Sequence, residues 1–206
     1  MSRRALASLV VLVLAACSPG DTAESAPGSQ ARDRGRREVA VFAGGCFWSV
    51  EANFEAMPGV VSAVSGFAGG RAANPTYEQV IRGGTGHLEA VQVTFDPSRI
   101  TYRQLVDRFW RTIDPTDPDG QFCDQGPTYA TAVFASPSQK PAAEASRRAA
   151  AARIGPARFV TPVRDAARFW PAEAYHQDFA REHPVRYAGY SRFCGRAARL
   201  RAVWGA

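Results

Sequence analysis

Lysine is almost missing from this chain: Lys140 is the only one, so the excess of 25 Lys and Arg over 19 Asp and Glu is carried by arginines spread along the sequence. A net charge of +6 would point to an anionic partner if it were clustered. No basic run interleaved with aromatics is present, however, and no nucleic-acid motif, so nucleic acid is not an expected partner. The four cysteines include no CxxC pair and no spacing suited to a tetrahedral metal site, which removes zinc and leaves no expected cofactor. No internal repeat of roughly 20 to 50 residues is evident, so a solenoid or propeller is excluded. The apolar run Ala5 to Ala16 falls short of the roughly 20 residues that cross a bilayer. What remains is ordinary globular material: 46% hydrophobic and 21% charged residues, in 206 residues that have room for an N-terminal segment and one cored domain.

The first 37 residues read as targeting and tether. Arg3 and Arg4 precede the apolar run, and Leu14-Ala15-Ala16-Cys17 resembles the bacterial lipobox, in which the cysteine is diacylated and becomes the new N-terminus. Residues 1–16 are therefore expected to be a lipoprotein signal peptide, with Cys17 the lipid attachment site; several buried chains, at about 0.8 kcal/mol per methylene, anchor a protein stably. Ser18 differs from an inner-membrane retention signal, so the expected location is the periplasmic side of a bacterial envelope, on the outer membrane. A plain secretory signal cut elsewhere is the alternative, and Arg3-Arg4 hints at a twin-arginine route. Residues 17–37, rich in Ser, Pro, Gly and charge without apolar period, read as a flexible tether. The folded domain is expected over 38–206.

Within it, Glu38 to Ala43 reads as a strand, Gly44-Gly45 as a turn and Cys46 to Phe54 as a helix. Strands follow at Val60 to Gly66, His87 to Phe95 and Thr128 to Phe134. Helices are expected at Thr76 to Ile81, Tyr102 to Thr112, Ser138 to Ile154 and Glu173 to Glu182, with a long loop from Asp114 to Pro127. Strands and helices alternate, but glycine-rich loops break them too often for a regular parallel sheet. The expected class is α+β, a two-layer α/β sandwich with a mixed sheet of ferredoxin-like type.

Cys46 opens its helix, where unpaired backbone N–H groups and the helix dipole favour an anion; this predicts a lowered pKa and a reactive thiolate. Gly44 and Gly45 leave room for a close approach. A buried structural cysteine is the alternative. Alternation along His87 to Phe95 puts Glu89 on the face of Val91, Val93 and Phe95, where a carboxyl without a cation is desolvated, stays protonated near neutrality and can donate a proton; pairing with an arginine at the strand end is the other reading. Beyond Cys17 and Cys46, Cys123 and Cys194 form either a structural bridge beside a free nucleophile or two partners able to resolve an oxidised one. Cys123 falls in the expected mobile loop and Cys194 in a C-terminal segment. His87 either orients Glu89 or anchors the turn after Gly86; Tyr175 and His176 are expected to brace the site, Phe109 and Trp110 to be core, and the last arginines to be a solvated face.

Gly44-Gly45-Cys46-Phe47-Trp48-Ser49-Val50-Glu51 resembles the signature of the A-type peptide methionine sulfoxide reductases. So do Gly66-Phe67-Ala68-Gly69-Gly70, Asn74-Pro75-Thr76-Tyr77, Gly86-His87-Leu88-Glu89-Ala90-Val91, Phe109-Trp110, Asp114-Pro115-Thr116 and Ala172-Glu173-Ala174-Tyr175-His176-Gln177, in the family's order from about Val39 to Arg199. The resemblance implies that Cys46 attacks the sulfoxide sulfur while Glu89 protonates its oxygen, helped by the hydroxyls of Tyr77 and Tyr129. It makes Phe47 and Trp48 the cage for the substrate methyl and Asp124 a polar contact, and implies preference for the S epimer. The sulfenic acid left on Cys46 would condense with a second thiol, Cys194 being favoured, with Cys123 in its place or as a relay. A thioredoxin-like protein or a dithiol would then reduce the disulfide. The expected partners are proteins carrying methionine sulfoxide and this reductant, met by a monomer. Phe122-Cys123-Asp124 and Gly126-Pro127-Thr128-Tyr129 depart from the usual loop, and Phe67 stands where tyrosine is common. A cysteine hydrolase with His87 as base, or a non-catalytic anchored binding module, are the alternative functions.

Overall fold

The structure is a computed structural model in which residues 35–205 are described; the expected signal peptide, Cys17 and most of the expected tether lie outside them. Four strands make the centre of one sheet: β1 (Glu38–Gly44), β2 (Val60–Ala68), β3 (Leu88–Phe95) and β6 (Thr131–Ala135), with the two short strands β4 (Gly120–Gln121) and β5 (Asp124–Gln125) forming a separate hairpin. β7 (Val163–Asp165) and β8 (Phe169–Pro171) extend the edges, giving the order β7-β6-β1-β3-β2-β8. All pairings in it are antiparallel except β6 with β7. This is the expected α+β mixed sheet; the narrower ferredoxin-like label describes at most the four central strands, since β7 and β8 go beyond that pattern.

Period-two alternation sorts the strand residues between two faces. Phe42, Val91, Val93 and Phe95 join the main core under the helices α1 (Phe47–Glu55), α3 (Tyr102–Trp110) and α4 (Lys140–Ile154), whereas Ala43, Leu88, Ala90 and Phe134 form a smaller cluster with Phe169. Phe42 stacks on Phe54 at 4.7 Å and lies 4.9 Å from Phe109, joining β1, α1 and α3 through one aromatic group. The Trp110 indole N–H donates to Ser146 Oγ at 2.8 Å, so the expected core pair Phe109 and Trp110 also ties α3 to α4. Thr101 and Thr76 each close a capping box at the start of α3 and of the short α2 (Tyr77–Ile81), which accounts for their abrupt starts.

The C-terminal third differs from the sequence reading. Glu173 to Glu182 is no continuous helix: a single 3-10 turn, Ala174–His176, is followed by Asp178 at φ 55° and the short α5 (Phe179–Glu182). Beyond it, α6 (Pro184–Phe193) and α7 (Arg196–Trp204) had no counterpart in the apolar periodicity. Nor are the last arginines all solvated: Arg196 is buried and donates to the Thr112 carbonyl at 2.6 Å, and Arg199 bonds the buried Asp114 at 2.5 Å.

Candidate active site

The path from β1 to α1 places the nucleophile. Gly45 takes φ +81°, a conformation that strains any residue with a Cβ, and an added Cβ would stand 2.5 Å from that of Gln121. The glycine pair therefore makes room for Gln121 and the core rather than for an incoming substrate. Gln121 is fully buried; its Oε1 accepts from the Asp114 N–H at 2.9 Å and its Nε2 donates to the Asp114 carbonyl at 2.7 Å, which fastens the loop that sequence alone presented as mobile.

Cys46 is the N-cap of α1 and is 7% exposed, with its carbonyl accepting from the Ser49 N–H at 3.1 Å. Its thiol is pushed up to about 12, first by burial and then by the charge of Glu89, while a hydrogen bond with the Tyr190 hydroxyl works the other way. This overturns the expected lowering. A helix terminus supplies about 0.3–1 kcal/mol at exposed sites, whereas burial can move a group by roughly 3–5 pKa units, so burial wins and the resting sulfur is a thiol.

Glu89 stands where alternation predicted. It is 1% exposed on the core face of β3, opposite Phe67 of β2, and its Oε2 accepts the Phe47 N–H at 2.9 Å. Burial raises its pKa to about 8, against the lowering by that hydrogen bond and with a further push from Asp124. At pH 7 it is mostly a neutral acid, held at the helix mouth that carries Cys46.

Around this pair the sequence-predicted residues converge. Tyr77 and Tyr129 are both raised by burial and by Glu89, Tyr77 to about 12, so they remain hydroxyl donors. Phe47 is buried, with its ring 5.0 Å from that of His176, 5.9 Å from Phe67 and 6.1 Å from Tyr77. Trp48 is half-buried, stacks on Phe179 at 3.7 Å and donates its indole N–H to His176 Nδ1 at 3.2 Å, giving His176 the bracing role expected of it. Tyr175 is largely exposed, its ring 4.2 Å from that of His176.

Cys123 and Cys194 are joined to each other, and Cys46 is the free cysteine among the described residues. Cys123 is the exposed end of the pair and Cys194 the half-buried end. Asp124, next to Cys123, accepts from the Tyr190 hydroxyl and is raised by burial. His87 donates its backbone N–H to Thr85 Oγ1 at 3.3 Å, its ring lies against Gly70, and neither ring nitrogen has a hydrogen-bond partner among the described residues. It belongs to the turn and gives no support to a cysteine–histidine hydrolase pair.

Four contributors escaped the sequence reading. Tyr190 donates its hydroxyl to Asp124 and acts to lower the Cys46 thiol. Glu173 Oε1 accepts the Tyr77 N–H at 3.0 Å, Gln177 bonds both backbone groups of Ser65 at 2.9 Å, and the buried Glu51 accepts from the N–H groups of Ser65 and Asp178 at 3.2 and 2.9 Å. A polar residue inside a quoted motif was the available signal for three of them; Tyr190 offered none beyond its nearness to Cys194.

A family model described as peptide methionine sulfoxide reductase matches residues 38–206. The chain is similar to peptide methionine sulfoxide reductase MsrA 2 of Rhizobium meliloti, 52% identical over 169 residues that cover 82% of this chain and 84% of the relative. It is 48% identical over 170 residues to the MsrA 2 protein of Caulobacter vibrioides, covering 82% and 87%. Among solved structures it resembles methionine sulfoxide reductase A of Corynebacterium diphtheriae, with a TM-score of 0.67, 33% identity and coverage of 73% of this chain and 78% of the other.

Proposed function

The chain belongs to the peptide methionine sulfoxide reductase family, A type, and from that membership we propose the course of its reaction and its setting. The protein is an oxidoreductase that returns methionine sulfoxide to methionine. Cys46 Sγ attacks the sulfoxide sulfur inside the wall made by Phe47 and Trp48, and Glu89 gives its proton to the departing oxygen while Tyr77 and Tyr129 donate hydrogen bonds to it. The sulfoxide sulfur gains two electrons and Cys46 loses two, so methionine leaves and Cys46 carries the oxygen as a sulfenic acid. The observation that carries this reading is the Phe47 N–H to Glu89 bond of 2.9 Å, which fixes a neutral acid beside the nucleophile's helix terminus.

Cys194 then displaces water from the sulfenic acid to form a Cys46–Cys194 disulfide. Cys123 attacks Cys194 in turn, freeing Cys46 and leaving the Cys123–Cys194 bond, whose exposed Cys123 end faces the reductant. The order is supported by exposure, since the inner sulfur belongs to Cys194. A thioredoxin-like dithiol takes up the oxidation and no cofactor enters. The enzyme acts as a monomer on proteins carrying the S epimer, and on the free amino acid. It is anchored through Cys17 on the periplasmic side of the outer membrane, after removal of residues 1–16, with 17–37 as tether. No helix among the described residues is long and apolar enough to cross a membrane; palmitate labelling lost in Cys17→Ala tests the lipid attachment. Turnover of separated sulfoxide epimers with dithiothreitol tests the chemistry: methionine is released from the S epimer by the wild type and not by Cys46→Ser. Activity retained in Cys46→Ser ends the reading.

A further inference from the structure

The turn that carries Cys123 is an awkward one for its sequence. Pairing of Gly120 with Gln125 and of Gln121 with Asp124 leaves Phe122 and Cys123 as the loop residues of the β4–β5 hairpin. Phe122 stands at φ 60°, in the place where so short a hairpin favours glycine and where a bulky side chain is strained. A strained residue of this kind persists when its surroundings hold it there, and here they do so through the ring. The ring is half-buried, and the guanidinium of Arg196 lies 4.4 Å from its centroid. Arg196 is itself buried, donates to the Thr112 carbonyl at 2.6 Å and forms no ion pair among the described residues, so the electron-rich ring face is a direct neighbour of its charge.

This contact flanks both resolving cysteines. Phe122 immediately precedes Cys123, and Arg196 follows Cys194 after Gly195, at φ 61°, has turned the chain from α6 into α7. The two segments also rest on one ledge, Thr112 to Asp114, just beyond α3. From the hairpin, Gln121 bonds the Asp114 N–H and carbonyl at 2.9 and 2.7 Å. From α7, Arg196 donates to the Thr112 carbonyl, the Trp204 indole N–H to the Ile113 carbonyl at 3.0 Å and Arg199 to the Asp114 carboxylate at 2.5 Å. The ledge thus fixes Gln121 on one side and α7 on the other, while Cys123 and Cys194 stand beyond these footings. Two non-covalent contacts span the remaining gap: Phe122 with Arg196, and the Tyr190 hydroxyl with Asp124.

We infer that Phe122 and Arg196 are positioning residues for thiol–disulfide exchange between Cys123 and Cys194, an inference that rests on the reductase reading. They form a clasp that keeps the two sulfurs within reach of each other whether or not they are bonded. In the exchange, the Cys123 thiol gives up its proton and its sulfur attacks Cys194 of the Cys46–Cys194 disulfide. A Cys123–Cys194 bond forms, the Cys46–Cys194 bond breaks, and Cys46 leaves with the electron pair and takes up a proton, so no electrons enter or leave the protein. The rate and the equilibrium of such an intramolecular step both rise with the effective concentration of one thiol at the other. Glycine would suit the turn better and would leave the tip of the hairpin with no hold on α7. Phenylalanine accepts the strained backbone and supplies that hold.

The test is the equilibrium between the Cys123–Cys194 disulfide and its dithiol in graded mixtures of reduced and oxidised dithiothreitol, read by alkylation of the two cysteine peptides of the full chain. Phe122→Leu and Phe122→Gly should lower the equilibrium constant for the bond by about tenfold, the scale of one partly buried cation–π contact. Phe122→Tyr, which keeps the ring face, should stay within about twofold of wild type. Glycine fits φ 60°, so that variant decides the matter even if Phe122→Leu folds poorly. In an Arg196→Met background the Phe122→Leu change should have no further effect, because the contact is already gone. After one equivalent of methionine sulfoxide, Phe122→Leu and Phe122→Gly should release methionine at the wild-type rate and accumulate the Cys46–Cys194 disulfide. A Phe122→Gly protein whose equilibrium and disulfide distribution match the wild type, or a Phe122→Tyr protein that falls as far as Phe122→Leu, overturns the inference and leaves the reductase reading standing. Absence of methionine release by the wild type overturns that reading and, with it, the exchange that the clasp would serve.

Discussion

Replacing Glu89 by glutamine separates catalysis from stability, because the same buried proton serves the first and burdens the second. The carboxyl moves from its ordinary 4.5 to about 8 on folding. A raised acid stabilises the fold fully below its unfolded pKa and loses that contribution as pH rises toward the folded value. From pH 4.5 to pH 7 the unfolded chain has released a proton that the folded chain still holds. At about 1.4 kcal/mol per pH unit, this costs the native state about 3 kcal/mol at pH 7. Above pH 8 the penalty levels off at about 5 kcal/mol, since both states are then ionised. Glutamine is neutral at every pH, and its amide oxygen can keep the 2.9 Å bond from the Phe47 N–H.

Glu89→Gln should therefore match the wild type in urea unfolding near pH 4.5 and exceed it by a margin that grows to about 3 kcal/mol at pH 7. Its activity should fall by roughly 10² to 10⁴ over the same range, the span of a lost general acid. Urea titrations in the presence of a reductant that spares the disulfide, with first-turnover rates on the same samples, read both effects. A variant that is no more stable than wild type at pH 7 and pH 8, or that reduces sulfoxide at a normal rate, would refute the neutral-acid assignment.

Other outcomes follow from the same geometry. Cys194→Ser should stop after one turnover with a sulfenic acid on Cys46 detectable by dimedone labelling, whereas Cys123→Ser should accumulate a Cys46–Cys194 disulfide in peptide maps; the opposite assignment would reverse the relay. Gly45→Ala should destabilise the domain by about 2 kcal/mol or more, as a Cβ at φ +81° meets Gln121 at 2.5 Å, and thermal melts with the midpoint unchanged would disprove the steric account. His176→Ala removes the acceptor of the Trp48 indole and should raise KM more than it lowers kcat in steady-state assays, because a wall of the pocket loosens while Cys46 and Glu89 stay in place.

The sequence was most legible where one physical signal acted alone. Strict alternation from His87 to Phe95 placed Glu89 on the core face, and the structure has it buried there with Val91, Val93 and Phe95. Glycines followed by Cys46 announced a strand, a turn and a helix, and β1, Gly45 and α1 are the result. It was least legible where two signals compete in magnitude. The helix terminus promised an acidic Cys46, but the depth of the site, assembled from β3, the Asp124 segment and α6, decides the other way. Arg196 and Arg199 looked solvated because charge usually is; only their partners, the Thr112 carbonyl and the Asp114 carboxylate on a distant loop, pull them inward.

The segment Ala172 to Asp178 makes the reason plainer. Its residues suit a helix, yet a helix would turn Gln177 and Glu173 away from the groups they serve. Gln177 satisfies both the N–H and the carbonyl of Ser65, and the Ala172 N–H donates to the same Ser65 carbonyl at 2.9 Å. Glu173 meanwhile holds the Tyr77 backbone and Glu51 the Asp178 N–H. Buried backbone groups at the edge of β2 must find partners, and leaving one unsatisfied costs about 1–3 kcal/mol, more than the few tenths by which propensities differ between ordinary residues. The edge thus dictates an irregular course, a 3-10 turn and then Asp178 at φ 55°, and Gly66 lets the preceding strand β8 lie close, since a Cβ there would meet the Trp170 carbonyl at 2.2 Å. Tyr77 and Trp48 are held by a strip of chain whose shape is set by a strand more than 100 residues earlier, a dependence that no local window of sequence can carry.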